Sequence, residues 1–260
     1  MNLEKYIACQ LAREDRTILL MTHLIVGYPS LEVNWTMLEM MADVGVDLVE
    51  LQMPFSEPVA DGPTFVRANQ LALQAGLSVD EYFEFMERAT TSFSFPHLMM
   101  GYYNTAYKLG HLPFCDRLRK SGATGFILPD LPFDEYGDLF DVASEQDLSP
   151  ILLMTPTNTE ERLSSIGENA KGFVYTVARK GVTGKKTDLE EGLFDFIKRC
   201  RLATKLPLSV GFGLRRREDV RLLHNRVEIA IVGSALLETW ESGGPEAYRD
   251  FLEELVAGRI

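Results

Sequence analysis

The sequence predicts an α/β protein, a (β/α)8 TIM barrel with an extra N-terminal helix, in which residues 1–260 form a single domain. The chain length suits one large barrel, and eight short apolar runs alternate with longer amphipathic segments. The alternative is a doubly wound open sheet, but no GxGxxG motif follows the first run. Glycine-rich, polar turns follow many of the runs, and a barrel places all such turns around one mouth.

The eight runs lack strict apolar–polar alternation, as expected for parallel strands that are buried on both faces. They are residues 18–26, 48–51, 98–102, 125–128, 151–154, 173–177, 208–211 and 229–232. Residues 1–14 carry charges within an apolar periodic pattern, which predicts the extra helix and not a signal peptide. Ser30 is a predicted N-cap of the first crossover helix, and Ser78 with Glu81 forms a predicted capping box.

The overall charge and the cysteine pattern restrict the possible functions. A formal net charge of -12 disfavours nucleic-acid and anionic-membrane partners, so a phosphorylated ligand would need a local anion site. The three cysteines are far apart and the four histidines lack metal-ligand spacing, so we expect neither a disulfide framework nor a metal centre. This pattern is typical of a cytoplasmic protein.

The segment around the second predicted strand carries the strongest signal for catalysis. Glu50 lies within that strand, and Asp61 follows in a loop that we expect over the barrel mouth. Burial tends to raise the pKa of a carboxyl group, which then donates and accepts protons near neutral pH. The alternative is that Glu50 pairs with a basic residue and Asp61 only caps a turn. Glu50 can face either the barrel interior or the helix layer.

The loops after predicted strands seven and eight indicate a phosphate site. They contain Gly211-Phe-Gly213 and Gly233-Ser234, and Ser234 is expected at the N-terminus of the last helix. Backbone N–H groups in such loops bind anions, and this position is the usual phosphate site of the barrel architecture. The alternative is that these glycines only form tight turns.

Two further groups of residues are expected at the same mouth. The basic, glycine-rich loop at residues 178–186 is long enough to close over a ligand, or else is a solvated loop. Tyr175, just before it, points either into the mouth or into the barrel core. Asp130, Tyr102 and Asn104 follow strands three and four and are expected to stabilise loops.

The sequence offers neither a plausible Ser-His-Asp set nor a lysine within a strand for a Schiff base. Carboxylates remain as the predicted acid–base groups.

The chain resembles the α subunits of tryptophan synthase over nearly its whole length. Residues 50–63 read ELQMPFSEPVADGP, similar to the family signature ELGxPFSDPxADGP. Further matching segments, in order and at matching spacing, are 101–104 (GYYN), 129–132 (PDLP), 179–184 (RKGVTG), 211–213 (GFG) and 233–234 (GS).

The resemblance implies a lyase that releases indole from indole-3-glycerol phosphate. It implies Glu50 as the acid/base, Asp61 as the carboxylate that holds the indole N–H, and Tyr175 as an assisting hydroxyl. The implied phosphate-binding residues are Gly184, Gly213, Gly233 and Ser234, and the implied lid residues are Arg179 and Thr183.

The resemblance also implies a partner. This is the tryptophan synthase β subunit, which holds pyridoxal phosphate, in an αββα heterotetramer, while the α chain itself needs no cofactor. The matching contact positions are Pro54, Glu57, Asn104 and Pro132.

The chain departs from the family pattern near the predicted acid. Gln52 replaces a glycine, and its side chain should point to the same side of the strand as Glu50. His23 stands where an apolar or aromatic residue normally lines the indole pocket, and Glu57 replaces an aspartate. Two alternatives to an active lyase therefore stay open: a catalytically weak α chain that binds and activates a β subunit, and a different sugar-phosphate barrel enzyme.

Overall fold

Eight parallel strands close into a barrel in which each strand pairs with the next and the last pairs with the first. The structure is a computed structural model that describes residues 2–177, 186–211 and 213–260. The strands are β1 (Leu19–Ile25), β2 (Leu48–Gln52), β3 (His97–Met100), β4 (Gly125–Ile127), β5 (Ser149–Met154), β6 (Val174–Val177), β7 (Leu208–Gly211) and β8 (Ile229–Val232). The predicted (β/α)8 barrel is confirmed.

Helices connect the strands on the outside of the barrel, and one further helix precedes the first strand. They are α1 (Leu3–Leu11), α2 (Leu31–Val44), α3 (Pro63–Gln74), α4 (Val79–Ser92), α5 (Tyr103–Leu109), α6 (His111–Lys120), α7 (Leu139–Glu145), α8 (Glu160–Asn169), α9 (Lys186–Ala203), α10 (Arg217–Arg221) and α11 (Ser234–Val256), with short 3-10 helices at Phe133–Glu135 and Ala257–Arg259. None of the helices in the described residues is long and apolar enough to cross a membrane.

Local sequence signals explain where several helices begin. The Ser30 side chain accepts a hydrogen bond from Val33 N–H, and Ser78 and Glu81 form the predicted capping box. The third strand ends at Met100, two residues before the predicted end, because Tyr102 already occupies the N-cap position of α5.

Alternate residues of the strands fill the barrel interior. Leu19 and Met21 of β1, Leu48 of β2 and Phe173 before β6 belong to one buried apolar cluster, whereas their neighbours pack against the helices. Because side chains alternate between the two faces of a strand, the residues two positions after these also point into the barrel. These residues lie at the carboxyl-end mouth of the barrel.

The extra N-terminal helix closes the opposite end. Leu3 and Ile7 of α1 are fully buried in the interior cluster, and the Asn2 side chain caps the helix by accepting a hydrogen bond from Lys5 N–H. The closed bottom leaves the carboxyl-end mouth as the face on which a ligand site can form.

Candidate active site

The register of β2 places Glu50 inside the barrel at its mouth. Glu50 follows the inward-facing Leu48 by two positions, and only 1% of its surface is exposed. One carboxylate oxygen, Oε2, lies 3.0 Å from Nδ1 of His23. The other, Oε1, is buried and has no hydrogen-bond partner among the described residues. A buried carboxylate with one free oxygen is suited to exchanging a proton with a bound ligand.

His23 and Gln52 join Glu50 to Asp61 through a continuous chain of polar contacts. Nε2 of His23 lies 2.7 Å from Oε1 of Gln52, and Nε2 of Gln52 donates to Oδ2 of Asp61 at 2.7 Å. His23 and Gln52 are both buried, whereas Asp61 is partly exposed at the mouth. The Gln52 side chain therefore points to the same side as Glu50 and fills the space between the two carboxylates.

Two residues hold the loop that carries Asp61: Asn69, which the sequence did not point to, and Tyr102, which is expected to stabilise a loop at the mouth. Asn69 of α3 donates to Asp61 Oδ2 at 3.3 Å, and its own oxygen accepts from Phe55 N–H at 2.9 Å. The Tyr102 hydroxyl accepts from Ala60 N–H at 3.1 Å. The signal for Asn69 is its position on the apolar face of α3, where Phe65, Ala68 and Ala72 are buried.

Tyr175 also points into the mouth. It follows the interior residue Phe173 by two positions, and its hydroxyl lies beside Gly211, where a Cβ atom would come within 3.3 Å of it. Burial, together with the charges of Glu50 and Asp61, raises the pKa of Tyr175 well above its ordinary value. Tyr175 is therefore a neutral hydroxyl that can donate a hydrogen bond at physiological pH.

The two glycine loops lie next to each other because β7 pairs with β8. Gly213 has a φ of 64°, a left-handed conformation that favours glycine. Gly233 precedes Ser234, the first residue of α11, and a Cβ at Gly233 would lie 3.0 Å from the Phe65 ring and 3.5 Å from Cβ of His23. The N-terminus of α11 thus adjoins His23, and a helix N-terminus is a position suited to an anion.

The rim residues have differing exposure. Asp130 accepts hydrogen bonds from Tyr103 N–H at the start of α5, so it stabilises a loop as expected. Of the predicted partner contacts, Glu57, Asn104 and Pro132 are exposed, whereas Pro54 is buried and offers the least surface to a partner. The predicted lid residues Arg179 and Thr183 and the predicted phosphate ligand Gly184 lie outside the described residues.

Metal-ligating side chains do not cluster in the part of the chain that the structure describes. The described cysteines, Cys9, Cys115 and Cys200, are all free thiols. A closed (β/α)8 barrel with a buried carboxylate and a buried imidazole at its carboxyl-end mouth has the architecture of a barrel enzyme.

Comparison with known proteins gives the family. The family model described as tryptophan synthase alpha chain matches residues 9–256. The chain therefore belongs to the tryptophan synthase alpha chain family. This confirms the family and the lyase class that the resemblance implied.

Similar chains come from several organisms. The tryptophan synthase alpha chain of Syntrophotalea carbinolica is 44% identical over 97% of this chain and 99% of its own length. That of Desulforapulum autotrophicum is also 44% identical, with the same coverage of both chains. The structure is similar to that of tryptophan synthase from M. tuberculosis in its aminoacrylate-bound form, with a TM-score of 0.89, 27% identity and full coverage of both chains.

Proposed function

We propose that the chain cleaves indole-3-glycerol phosphate to indole and glyceraldehyde 3-phosphate, with Glu50 as the acid/base. The observation that carries this proposal is the free Oε1 oxygen of a carboxylate that is buried at the barrel mouth. A proton donor at this position can reach a carbon atom of a ring that enters the mouth.

The proposed chemistry begins with transfer of a proton from Glu50 to C3 of the indole ring. The ring becomes an indolenine with positive charge at its nitrogen. Asp61 stabilises that charge by accepting a hydrogen bond from the ring N–H group. The bond between C3 and the side chain then breaks, and its electron pair returns to the ring. The side-chain hydroxyl loses its proton and becomes the aldehyde. Tyr175 assists by donating a hydrogen bond to the glycerol chain.

The phosphate end of the substrate is assigned to the loops after β7 and β8. The proposed phosphate binders are the N–H groups of Gly213, Gly233 and Ser234, with Gly184 as a further binder and Arg179 and Thr183 as residues of a lid. Because Gly233 adjoins His23, a phosphate bound there lies on the same side of the mouth as the reacting groups.

We further propose the αββα assembly with a tryptophan synthase β subunit. Glu57, Asn104 and Pro132 contribute exposed surface at the rim, whereas Pro54, the fourth predicted contact, is buried. Pyridoxal phosphate belongs to that β subunit, and no cofactor is assigned to this chain. The three free thiols suit the reducing cytoplasm.

A catalytically weak α chain that activates a β subunit is the second candidate. It is favoured by one observation: the Gln52 side chain fills space between the two carboxylates. The two candidates differ in turnover. The second predicts no indole from the chain alone or from its mixture with the β subunit.

Glu50→Gln tests the assignment of the acid. Because the amide cannot deliver a proton to carbon, kcat should fall by roughly 100-fold or more, while substrate binding changes little. Steady-state turnover and direct binding of indole-3-glycerol phosphate measure the two quantities. The matched control is Glu39→Gln, at an exposed position where the new amide oxygen can still accept the Trp35 Nε1–H hydrogen bond. Near-full turnover of Glu50→Gln would refute the role of Glu50.

A further inference from the structure

Two of the residues that depart from the family pattern, His23 and Gln52, contact each other, and each contacts one of the predicted catalytic carboxylates. His23 lies directly opposite Glu50 in the register of β1 with β2. Its Nδ1 faces Glu50 Oε2 at 3.0 Å, and its Nε2 faces Gln52 Oε1 at 2.7 Å. The His23 ring also packs against the Phe65 ring, with 4.6 Å between the centroids. The imidazole is therefore fixed at both of its nitrogen atoms.

The neighbouring amides determine which nitrogen of His23 carries hydrogen. Phe55 N–H donates to Asn69 Oδ1, so the Asn69 oxygen is an acceptor. The Gln52 Nε2 group lies 2.7 Å from the Asp61 carboxylate and 3.4 Å from this Asn69 oxygen, so it must donate to both. The Gln52 oxygen is thus turned toward His23, and an oxygen acceptor requires Nε2 of His23 to be protonated.

This orientation leaves one proton to be placed between His23 and Glu50. With Nε2 already protonated, Nδ1 either carries a second hydrogen, as imidazolium beside a carboxylate, or accepts one from a protonated Glu50. A contact of 3.0 Å between two groups that both lack the proton would be repulsive. In either form, the pair holds one exchangeable proton.

We propose that His23 is a positioning residue that keeps this proton on the His23–Glu50 pair, ready for delivery to the substrate carbon. The inference rests on the proposed role of Glu50 as the acid. It assigns to His23 and Gln52 a shared function: Gln52 fixes the tautomer of His23, and His23 controls the protonation of Glu50.

During one turnover, the His23–Glu50 pair gives up one proton and takes one back. With the proton on Glu50 and His23 neutral, rotation of the carboxyl group turns the protonated oxygen from Nδ1 of His23 into the mouth, and Glu50 gives this proton to C3 of the ring. The carboxylate then faces the lone pair of Nδ1, which favours taking a proton back. The hydroxyl group that becomes the aldehyde supplies that proton, and the C–C bond electrons return to the ring. One proton leaves the pair and one returns, so no external acid is needed.

The charges around His23 support retention of the proton. Burial alone lowers the pKa of His23, but the charge of Glu50, its hydrogen bond and the charge of Asp61 outweigh burial and raise that pKa above its ordinary value. Tyr175 on β6 stays neutral, and the Phe65 ring that packs against His23 brings no charge. The N-terminus of α11 at Gly233 opposes a positive charge on His23, whereas the carboxylates of Glu50 and Asp61 favour it. The groups around His23 thus favour retention of the shared proton by the His23–Glu50 pair at neutral pH.

Two variants at this position separate proton retention from simple hydrogen bonding. His23→Phe keeps a ring against Phe65 but removes both nitrogen atoms. His23→Asn keeps an N–H donor that can reach Glu50 but cannot titrate. We expect both variants to fold, to lose kcat by about 10-fold or more near pH 7.5, and to change KM far less. The fall of kcat at high pH should begin at lower pH, because the His23 nitrogen that helps to hold the proton is absent.

A wild-type pH profile in His23→Asn would overturn the proposal, because positioning alone would then suffice. Unchanged kcat in His23→Phe would overturn it as well. Loss of turnover in Glu50→Gln with an unchanged pH profile in both His23 variants would leave the acid role of Glu50 intact while rejecting that of His23.

Nitrogen-15 NMR of histidine-labelled protein tests the pair without any turnover, with the His23 signal assigned from its loss in His23→Phe. We expect Nε2 to stay protonated from pH 5 to 9, and the proton shared between Nδ1 and Glu50 to leave only above the ordinary histidine pKa of about 6.5. In Glu50→Gln that proton should leave at lower pH. A neutral His23 with hydrogen on Nδ1 at pH 7, or a titration unchanged in Glu50→Gln, would overturn the proposal even if the enzyme is active.

Discussion

Two neutral amides hold the carboxylate of Asp61 at the mouth. Gln52 and Asn69 both donate to Oδ2, at 2.7 and 3.3 Å. This arrangement fixes the position of Asp61 without neutralising its charge, since neither donor is ionised. In the proposed reaction, that charge acts on the ring nitrogen at the moment when positive charge develops there.

Replacing Asp61 with Asn tests this electrostatic role. The amide oxygen of the new residue can still accept from Gln52, so the loop should keep its position. The loss of the negative charge should lower kcat by roughly 100-fold, as for removal of other preorganised transition-state stabilisers. Steady-state kinetics measures the effect. The matched control is Asp130→Asn, at the same rim but contacting only Tyr103 N–H in the described network. Equal losses in both variants would contradict the role of Asp61.

The sequence predicts part of this residue-scale arrangement. The two-residue period of a strand is sufficient to place Gln52 on the same side as Glu50. The contact between His23 and Gln52 joins positions 29 residues apart and depends on the register of β1 with β2. Such pairing follows from barrel closure, so the polar network could not be read from local spacing.

At the scale of secondary-structure elements, a buried carboxylate ties both ends of the chain to the barrel. Asp47, just before β2, accepts from Leu20 N–H at 2.8 Å and from Arg259 Nη1 at 2.7 Å. It also forms an ion pair with Arg16, in the segment between α1 and β1. Arg259 lies in the C-terminal 3-10 helix. The Asp47 side chain therefore links three parts of the chain: the segment that follows α1, the strand β1, and the C-terminus.

Asp47→Ala should therefore destabilise the whole barrel. The change leaves two largely buried guanidinium groups without their carboxylate, which costs about 3–5 kcal/mol of the free energy of unfolding. Denaturant titration measures this cost. The control is Asp43→Ala, which removes an exposed ion pair with Arg249 and should cost less than about 1 kcal/mol. Similar losses of unfolding free energy in the two variants would show that Asp47 contributes no more to stability than an exposed ion pair.

The elements themselves follow closely from the sequence, because buried parallel strands and capped helices have strong local signals. The predicted runs at residues 208–211 and 229–232 coincide with β7 and β8. The prediction is less accurate where a connection contains two helices. The predicted third strand ran on to Tyr102, because an apolar aromatic residue extends a strand pattern whether or not the helix α5 begins there.

At the scale of the whole molecule, the barrel concentrates function at one end. The bottom is closed by α1, and the strand register brings Glu50, Gln52, His23 and Tyr175 to the opposite mouth. The formal charge of -12 disfavours anions over most of the surface, so a phosphorylated substrate requires the N–H groups of the loops after β7 and β8. The fold thus accounts for both the acid and the proposed anion site.

The most direct test of the acid role is a crystal structure of the chain with an uncleavable indole-3-alkyl phosphate. We expect Glu50 Oε1 within about 3.5 Å of ring atom C3, the ring N–H donating to Asp61, and the phosphate at Gly213, Gly233 and Ser234. A ligand whose C3 atom faces away from Glu50, or a mouth from which His23 and Gln52 exclude the ring, would contradict it.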